Sequence, residues 1–303
     1  MLLKKNIPLK YIFGKIKYEI VGVGLYTTIV TILYHVHDFS KYMIPLAVPA
    51  IMITVVSLLL AFRSNQAYDR WWEARTIWGA VVNDSRSWAR QVNNFMQESY
   101  PGDEVFFFKS AAIKRQIAWC VSLNHSLRGL DGLKGIEKYI SRNDLMQLKN
   151  YNNIPMALLN LHAQDLQKAY QNGWINAYQQ VEMDGTLTRF SNSMGACERI
   201  KKTIFPVTYS VYIHFSLLFF FILLPFSLME TFSWMTIPMV LAIGAMFFLI
   251  EKMAVHLQDP FENKPTDTPM TSICFTIERD LKQIINDPFN NDAVVHENAY
   301  YVL

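Results

Sequence analysis

Charge disappears from this chain in four long stretches. Residues 20–37, 43–62, 203–229 and 231–250 contain no Asp, Glu, Lys or Arg. A helix that crosses a bilayer needs ~20 mostly apolar residues, with a range of about 17–25. The pattern therefore predicts four membrane spans. The first is the shortest and carries His35 and His37; Pro206 and Pro225 fall near the ends of the third. Lys4, Lys5, Lys10, Lys15 and Lys17 precede the first stretch. Arg63, Arg70, Arg75, Arg86 and Arg90 follow the second, and Arg199, Lys201 and Lys202 precede the third. The two short connections hold only Asp38 and Lys41, and Glu230. Basic flanks mark the cytoplasmic side. The expected topology is multi-pass in a cell inner membrane or plasma membrane, with both termini and the middle region cytoplasmic.

Between the second and third stretches the period changes. From Trp71, apolar or small residues recur at Ala74, Trp78, Val81, Ser85, Trp88, Ala89 and Val92, the stripe of an amphipathic helix. YPGD at 100–103 ends it, and a second helix is expected over 104–129. LRGLDGLKG reads as a loop. SRND at 141–144 and NNIP at 152–155 read as helix starts, and NGW at 172–174 as a stop. A long helix from about 176 is expected to run into the third span. No strand signal and no repeat of fixed period appear, so a transporter built on inverted repeats finds little support. Four parts result: 1–62 (lead and first hairpin), 63–202 (cytoplasmic helical region), 203–250 (second hairpin) and 251–303 (cytoplasmic C-terminal segment and tail). The fold class is all-α membrane protein.

Composition agrees with this picture. Apolar residues make up 51% of the 303 and charged residues only 17%, against about 25% in soluble domains. A net charge of +3, without a basic tract, gives no reason to expect nucleic acid. Cys120, Cys197 and Cys274 are far apart and odd in number, which favours free thiols over a disulfide framework. The first residues carry charges as far as Glu19 and no small-residue cleavage site, so they read as a retained lead and not a signal peptide.

Catalytic chemistry is hard to find. The seven histidines contain no i,i+3 or i,i+4 pair, and no HExxH, P-loop or GxSxG motif occurs. No enzyme, cofactor or metal site is expected. His214 lies inside the third span, where it either hydrogen-bonds between helices or serves a function. QDPFENKPTD at 258–267 holds Asp259, Glu262 and Asp267, but Lys264 and three nearby prolines favour a rigid turn over a calcium loop. Arg70, Trp71, Trp72, Glu73 and Arg75 crowd together just past the second span. They read as a bracing network that fixes this helix to the region below, the alternative being direct contact with a permeant ion or ligand.

FRSNQAYDRWWEARTIWG at 62–79, NDSRSWARQ at 83–91, ACERIKKTIFP at 196–206 and the DPF after the fourth stretch resemble the bestrophins. The likeness extends over about 10–285, and the EAR motif and compact length look like the prokaryotic branch. The resemblance implies a homopentamer around one axial pore, with the second span lining a narrow neck above a cytoplasmic vestibule. Members conduct ions; many eukaryotic ones are calcium-activated anion channels, and some prokaryotic ones favour cations. The partners implied are further copies of the chain, membrane lipid and small monovalent ions such as chloride. Carried onto this chain, the neck is Thr54, Leu58 and Phe62, at i, i+4 and i+8 of one helix, and the cytoplasmic exit constriction is Gln179. The acidic run of the calcium-activated members is broken here by Lys264, so no calcium dependence is expected. Without the resemblance, a membrane-anchored binding or scaffold protein is the alternative, with Trp71, Trp72, Trp78 and Trp88 as its docking face.

Overall fold

The structure is a computed structural model and describes residues 13–37, 43–97, 103–203 and 206–289. The regular elements among the described residues are helices: α1 Lys17–His37, α2 Ala47–Phe95, α3 Asp103–Leu127, α4 Arg142–Leu148, α5 Ile154–Gln171, α6 Ala177–Lys202, α7 Val207–Phe232, α8 Thr236–Leu257 and α9 Met270–Ile284. Two compact units share them. One takes Lys4–Trp71 and Ile204–Asp259, the other Trp72–Thr203 and Pro260–Leu303. This division cuts α2 near Trp71, further along the chain than the change of pattern at residue 63, and it joins the C-terminal segment to the middle region.

In the first unit, α1, the opening half of α2, α7 and α8 enclose a core of Val56, Leu60, Leu217, Phe220, Phe221 and Phe248. α1 packs on α8 at small residues. A Cβ on Gly24 would sit 3.1 Å from Leu241, and one on Gly244 3.6 Å from Ile20 and Phe221. Close backbone approach of this kind is how helices associate where no water drives them together. Among the described residues three helical runs are long and apolar enough to cross a membrane: Lys17–Val36, Ala47–Phe95 and Val207–Leu257. The last holds both α7 and α8, separated by a 3-10 turn at Ser233–Met235. Ser233 there has φ +48°, and its hydroxyl lies 3.0 Å from His35 Nε2.

The second unit is built like a soluble helical domain. The stripe expected from Ala74 to Val92 is buried at every position, each at 1% exposure or less. It joins Ile113, Trp119, Leu158, Phe190 and Ile277 in one core. Helix ends lie where the local chemistry puts them. Ser141 caps α4 by accepting from the Asp144 amide at 3.0 Å. Asn153 caps α5 through Met156 N at 3.1 Å, with Pro155 in the first turn, where its missing N–H costs nothing. Gly173, at φ +73°, closes α5, a backbone state that suits glycine.

One expectation needs correction, and one helix is additional. α6 does not run on into the next span: it stops at Lys202, Thr203 leaves helical geometry, and α7 begins only after Pro206. Proline lacks the N–H needed to continue the ladder and pushes its predecessor out of the α region. The part of the C-terminal segment after QDPFENKPTD, for which no helix was named, forms α9, which buries Met270, Ile273, Cys274, Ile277 and Leu281 along one side.

Candidate functional site

The candidate site is the first half of α2. Leu58 is 58% exposed and Phe62 53%, and Thr54 is exposed beside them. All three sequence-assigned neck residues thus share one uncovered face, and Ile51 and Val55 extend it. The Thr54 hydroxyl donates to its own backbone, to Ala50 O at 2.9 Å. It therefore offers solvent an oxygen acceptor, with its proton already used.

The opposite face of the same helix is buried. Val56 and Leu60 pack into the core, and the next residue on that side is Arg63, only 2% exposed. Its Nη2 donates to Ser210 Oγ on α7 at 2.9 Å. Nη1 lies 3.9 Å from Glu251 Oε1 on α8. Glu251 is itself buried, at 4% exposure. On its other side, His214 Nδ1 on α7 lies 3.1 Å from Oε1 and 3.3 Å from Oε2. A second pair, Glu19 of α1 with Lys252 of α8 at 2.7 Å, sits one residue along. Buried charges are costly unless paired, and here Arg63 faces Glu251 while Glu19 faces Lys252. His214 is accordingly a histidine bonded between helices, the first of the two readings open for it.

Sequence reasoning missed Glu251 and took Arg63 for a marker of the cytoplasmic edge. Each stands at the first residue beyond an uncharged stretch, so each reads as a boundary. Their pairing depends on the fold alone.

The bracing residues differ in exposure. Tyr68 and Trp71 have ring centroids 6.0 Å apart, Trp72 is 55% exposed, and Arg70 and Arg75 are half-buried. Glu73 pairs with Arg199 Nη2 of α6 at 2.5 Å, tying the second half of α2 to the C-terminal end of α6. Trp78 and Trp88, also named for a docking face, are buried in the core at 0% and 1% exposure.

Gln179 has a local task. Its side-chain oxygen accepts from Asn176 N at 2.9 Å, while Asn176 Oδ1 accepts from Gln179 N at 2.9 Å. This reciprocal capping box opens α6. The side chains that stand clear on that turn are Tyr178, 89% exposed, and Val181, 72% exposed.

The acidic run after α8 folds as a turn. Lys264 pairs with Glu262, Asp267 Oδ2 accepts from Lys264 N at 3.0 Å, and Thr268 N donates to Pro260 O at 3.1 Å. Among the described residues no group of three or more His, Cys, Asp or Glu is arranged to hold a metal ion. The three cysteines are free and buried. Burial pushes the Cys120 and Cys197 thiols up to about 12, so both stay protonated and unreactive. Cys120 and Cys274, distant in sequence, meet in the fold: the Cys274 thiol donates to Cys120 O at 3.3 Å.

Comparison with known proteins bears on this helix directly. The family model for bacterial and fungal bestrophins matches residues 9–283. The chain belongs to that bestrophin family. The match takes in every uncharged stretch and almost all of α9. A voltage-dependent anion channel-forming protein of Nostoc is 31% identical to this bestrophin over 274 residues, 90% of this chain and 88% of the relative. Proteins of the same description are 29% identical in Synechocystis, over 82% of this chain and 80% of the relative, and 29% identical in Escherichia coli O157:H7, over 84% and 81%. These relatives are named for channel formation and not for catalysis, in line with the lack of a catalytic set. The fold matches the crystal structure of a bacterial bestrophin homologue from Klebsiella pneumoniae, with a TM-score of 0.83 and 24% identity over 90% of this chain and 100% of that one.

Proposed function

We propose that this bestrophin assembles as a homopentamer in a bacterial inner membrane and conducts small monovalent anions such as chloride through an axial neck lined by α2. Four helices of each copy, α1, the first half of α2, α7 and α8, cross the bilayer, and both termini face the cytoplasm. The observation that carries the reading is the uncovered face of α2 at Thr54, Leu58 and Phe62, set opposite the buried Val56 and Leu60. A lone helix offers an ion no polar path, because its backbone groups are already bonded. Copies related by cyclic symmetry supply the axis. Rings of Leu58 and Phe62 then form a constriction that ions pass only while it is wetted. Apolar rings carry no charge preference, so the preference for anions rests on the channel-forming relatives.

Calcium plays no part in this mechanism. Lys264 occupies the acidic run, and the carboxylates of Glu262 and Asp267 are engaged by its ammonium and its amide. The residues past Trp71 brace the neck helix through Glu73–Arg199, and the Asn176–Gln179 box fixes the turn at the expected exit.

The test is reconstitution in planar bilayers, with reversal potentials measured in salt gradients, alongside mass measurement in detergent. A reversal potential near that of chloride and a mass of five chains are expected. A monomeric mass, or the absence of any salt-gradient-dependent current, defeats the proposal. A steep rise of open probability with calcium defeats the claim of calcium independence.

A further inference from the structure

We propose that Gln91 is a positioning residue for ion selection: its side-chain amide holds the Glu182 carboxylate against the core and so keeps negative charge back from the exit of the permeation path. The inference rests on the reading that the opening turns of α6 border that exit.

Gln91 adjoins Val92 of the inward α2 stripe and is itself buried, at 1% exposure. A buried amide is costly unless its two ends are bonded, and both are. Thr186 Oγ1 on α6 donates to Gln91 Oε1 at 2.8 Å. Gln91 Nε2 donates to Glu182 Oε1, one turn earlier on α6, at 3.4 Å. The Thr186 hydroxyl, fully buried, accepts in turn from Arg189 Nη2 at 2.9 Å. Arg189 Nε donates to Asp84 Oδ1 of α2 at 2.8 Å. Every donor along Arg189, Thr186, Gln91 and Glu182 points the same way, from a guanidinium to a carboxylate, so each bond polarises the next. This order also fixes the amide, because turned over it would set Oε1 against the carboxylate. Asp84 and Gln91 lie two turns apart on α2, and Glu182, Thr186 and Arg189 lie at i, i+4 and i+7 on α6. The chain of bonds therefore joins one side of each helix.

The end of this chain gives it a consequence. Glu182 follows the Asn176–Gln179 box by less than one turn. A ring of such carboxylates around the exit attracts cations and repels anions, the wrong sign for a path that passes chloride. Gln91 is buried within a single chain, so its hold on the carboxylate does not depend on what assembly adds around it. A glutamate freed from the amide turns about its side-chain bonds into other staggered rotamers and carries its charge away from the core. Asp184, two residues on, lies on the other side of α6.

The experiment measures reversal potentials of the full-length protein in planar bilayers under a potassium chloride gradient, which give the ratio of chloride to potassium permeability. Gln91→Leu keeps a side chain of similar size and removes both bonds, while the Thr186 hydroxyl retains Glu182 O, at 3.4 Å, as an acceptor. The ratio should fall roughly threefold, the effect of one unit charge brought to about 6 Å from an ion in water. Gln91→Leu combined with Glu182→Gln should match Glu182→Gln alone, a result that lost packing at Gln91 does not produce. An unchanged ratio in Gln91→Leu overturns the inference, and so does a fall that persists in the double variant. If Gln91→Leu does not assemble, Thr186→Val, which removes the hydroxyl that fixes the amide, decides: a fall supports the inference and an unchanged ratio overturns it. A potassium-selective wild type defeats the anion reading alone, since the change of ratio between variants still decides this inference. A wild type that passes no current defeats the channel reading, and this inference with it.

Discussion

The two halves of α2 follow opposite rules within one unbroken helix. Before Trp71, bulky apolar side chains such as Leu58 and Phe62 stand outward and a charge, Arg63, points inward. After Trp71, Trp78, Val81 and Trp88 turn inward, while Asn83, Arg86 and Arg90 are among the exposed positions. In water, burying apolar area drives the second arrangement at about 25 cal/mol per Å². In a bilayer that drive vanishes, since lipid is as apolar as leucine, and the apolar face that one chain leaves open at Leu58 and Phe62 is the one proposed to meet further copies around the neck. The inward Arg63 is held by Glu251 and Ser210 rather than by solvent. The side on which a residue type lies thus reports the solvent of each half.

The largest effect should come from cutting into the inward tryptophans. Trp78→Ala removes a fully buried indole from the core, and large-to-small changes of this kind cost about 3–5 kcal/mol. Its melting midpoint in detergent should fall sharply, by tryptophan fluorescence or circular dichroism. Trp78→Phe should fall much less, because the indole N–H has no hydrogen-bond partner among the described residues and no buried bond is lost with it. A Trp78→Ala protein as stable as wild type would mean that the second half is not packed as a soluble core.

The outward face should answer in conduction instead. Leu58→Ala combined with Phe62→Ala widens the neck and removes the surface that expels water. Open probability in bilayers should rise roughly tenfold, about 1.4 kcal/mol in gating, by relief of dewetting. The melting midpoint should move far less than for Trp78→Ala. Unchanged gating would place the neck on another face of α2.

Much of this contrast was legible before any coordinates. The inward stripe from Ala74 to Val92 follows from a 3.6-residue period, and Ser141, Asn153 and Gly173 mark helix ends by local hydrogen bonding, which depends only on neighbours. The capping box at Asn176 and Gln179 was equally local, whereas the resemblance supplied for Gln179 a position at the exit constriction and no side-chain partner. α9 was overlooked because prolines and charges precede it, although Met270, Ile273, Ile277 and Leu281 share the spacing of the stripe. The cluster of Arg63, Ser210, His214 and Glu251 could not be read at all. Its members come from three helices, and nothing within one helix signals which charges will meet.

A buried histidine lets pH probe the second unit alone. His162 is fully buried in α5, neither ring nitrogen has a partner among the described residues, and its ring lies edge-on to Trp88 at 5.1 Å. Burial, and then the charge of Arg115, holds its pKa well below the usual histidine value of 6.5. The folded chain therefore keeps His162 neutral where the unfolded chain binds a proton. This stability is fully present above about pH 6.5 and is lost as pH falls toward the folded value, by about 1 kcal/mol over the first unit below 6.5. His162→Leu should abolish that part of the acid sensitivity, so its midpoint should gain on wild type as pH falls from about 7 to 5.5. Parallel pH profiles would show that His162 is charged or solvated in the fold.

The smallest effect should come from the ion pair that one bracing residue, Glu73, makes with Arg199. Glu73 and Arg199 are close, at 2.5 Å, but their side chains are 46% and 66% exposed. Exposed ion pairs contribute about 0.2–1 kcal/mol and weaken as salt screens them. Glu73→Gln should therefore lower the midpoint only slightly, and less still at high salt. Its effect on conduction separates two meanings of bracing. If α2 transmits force as a rigid rod, the continuous helix does the work, and gating in Glu73→Gln should match wild type within about twofold. If the Arg199 contact transmits it, gating should shift by more than the loss of stability accounts for, and the shift should disappear at high salt, where the wild-type pair is itself screened.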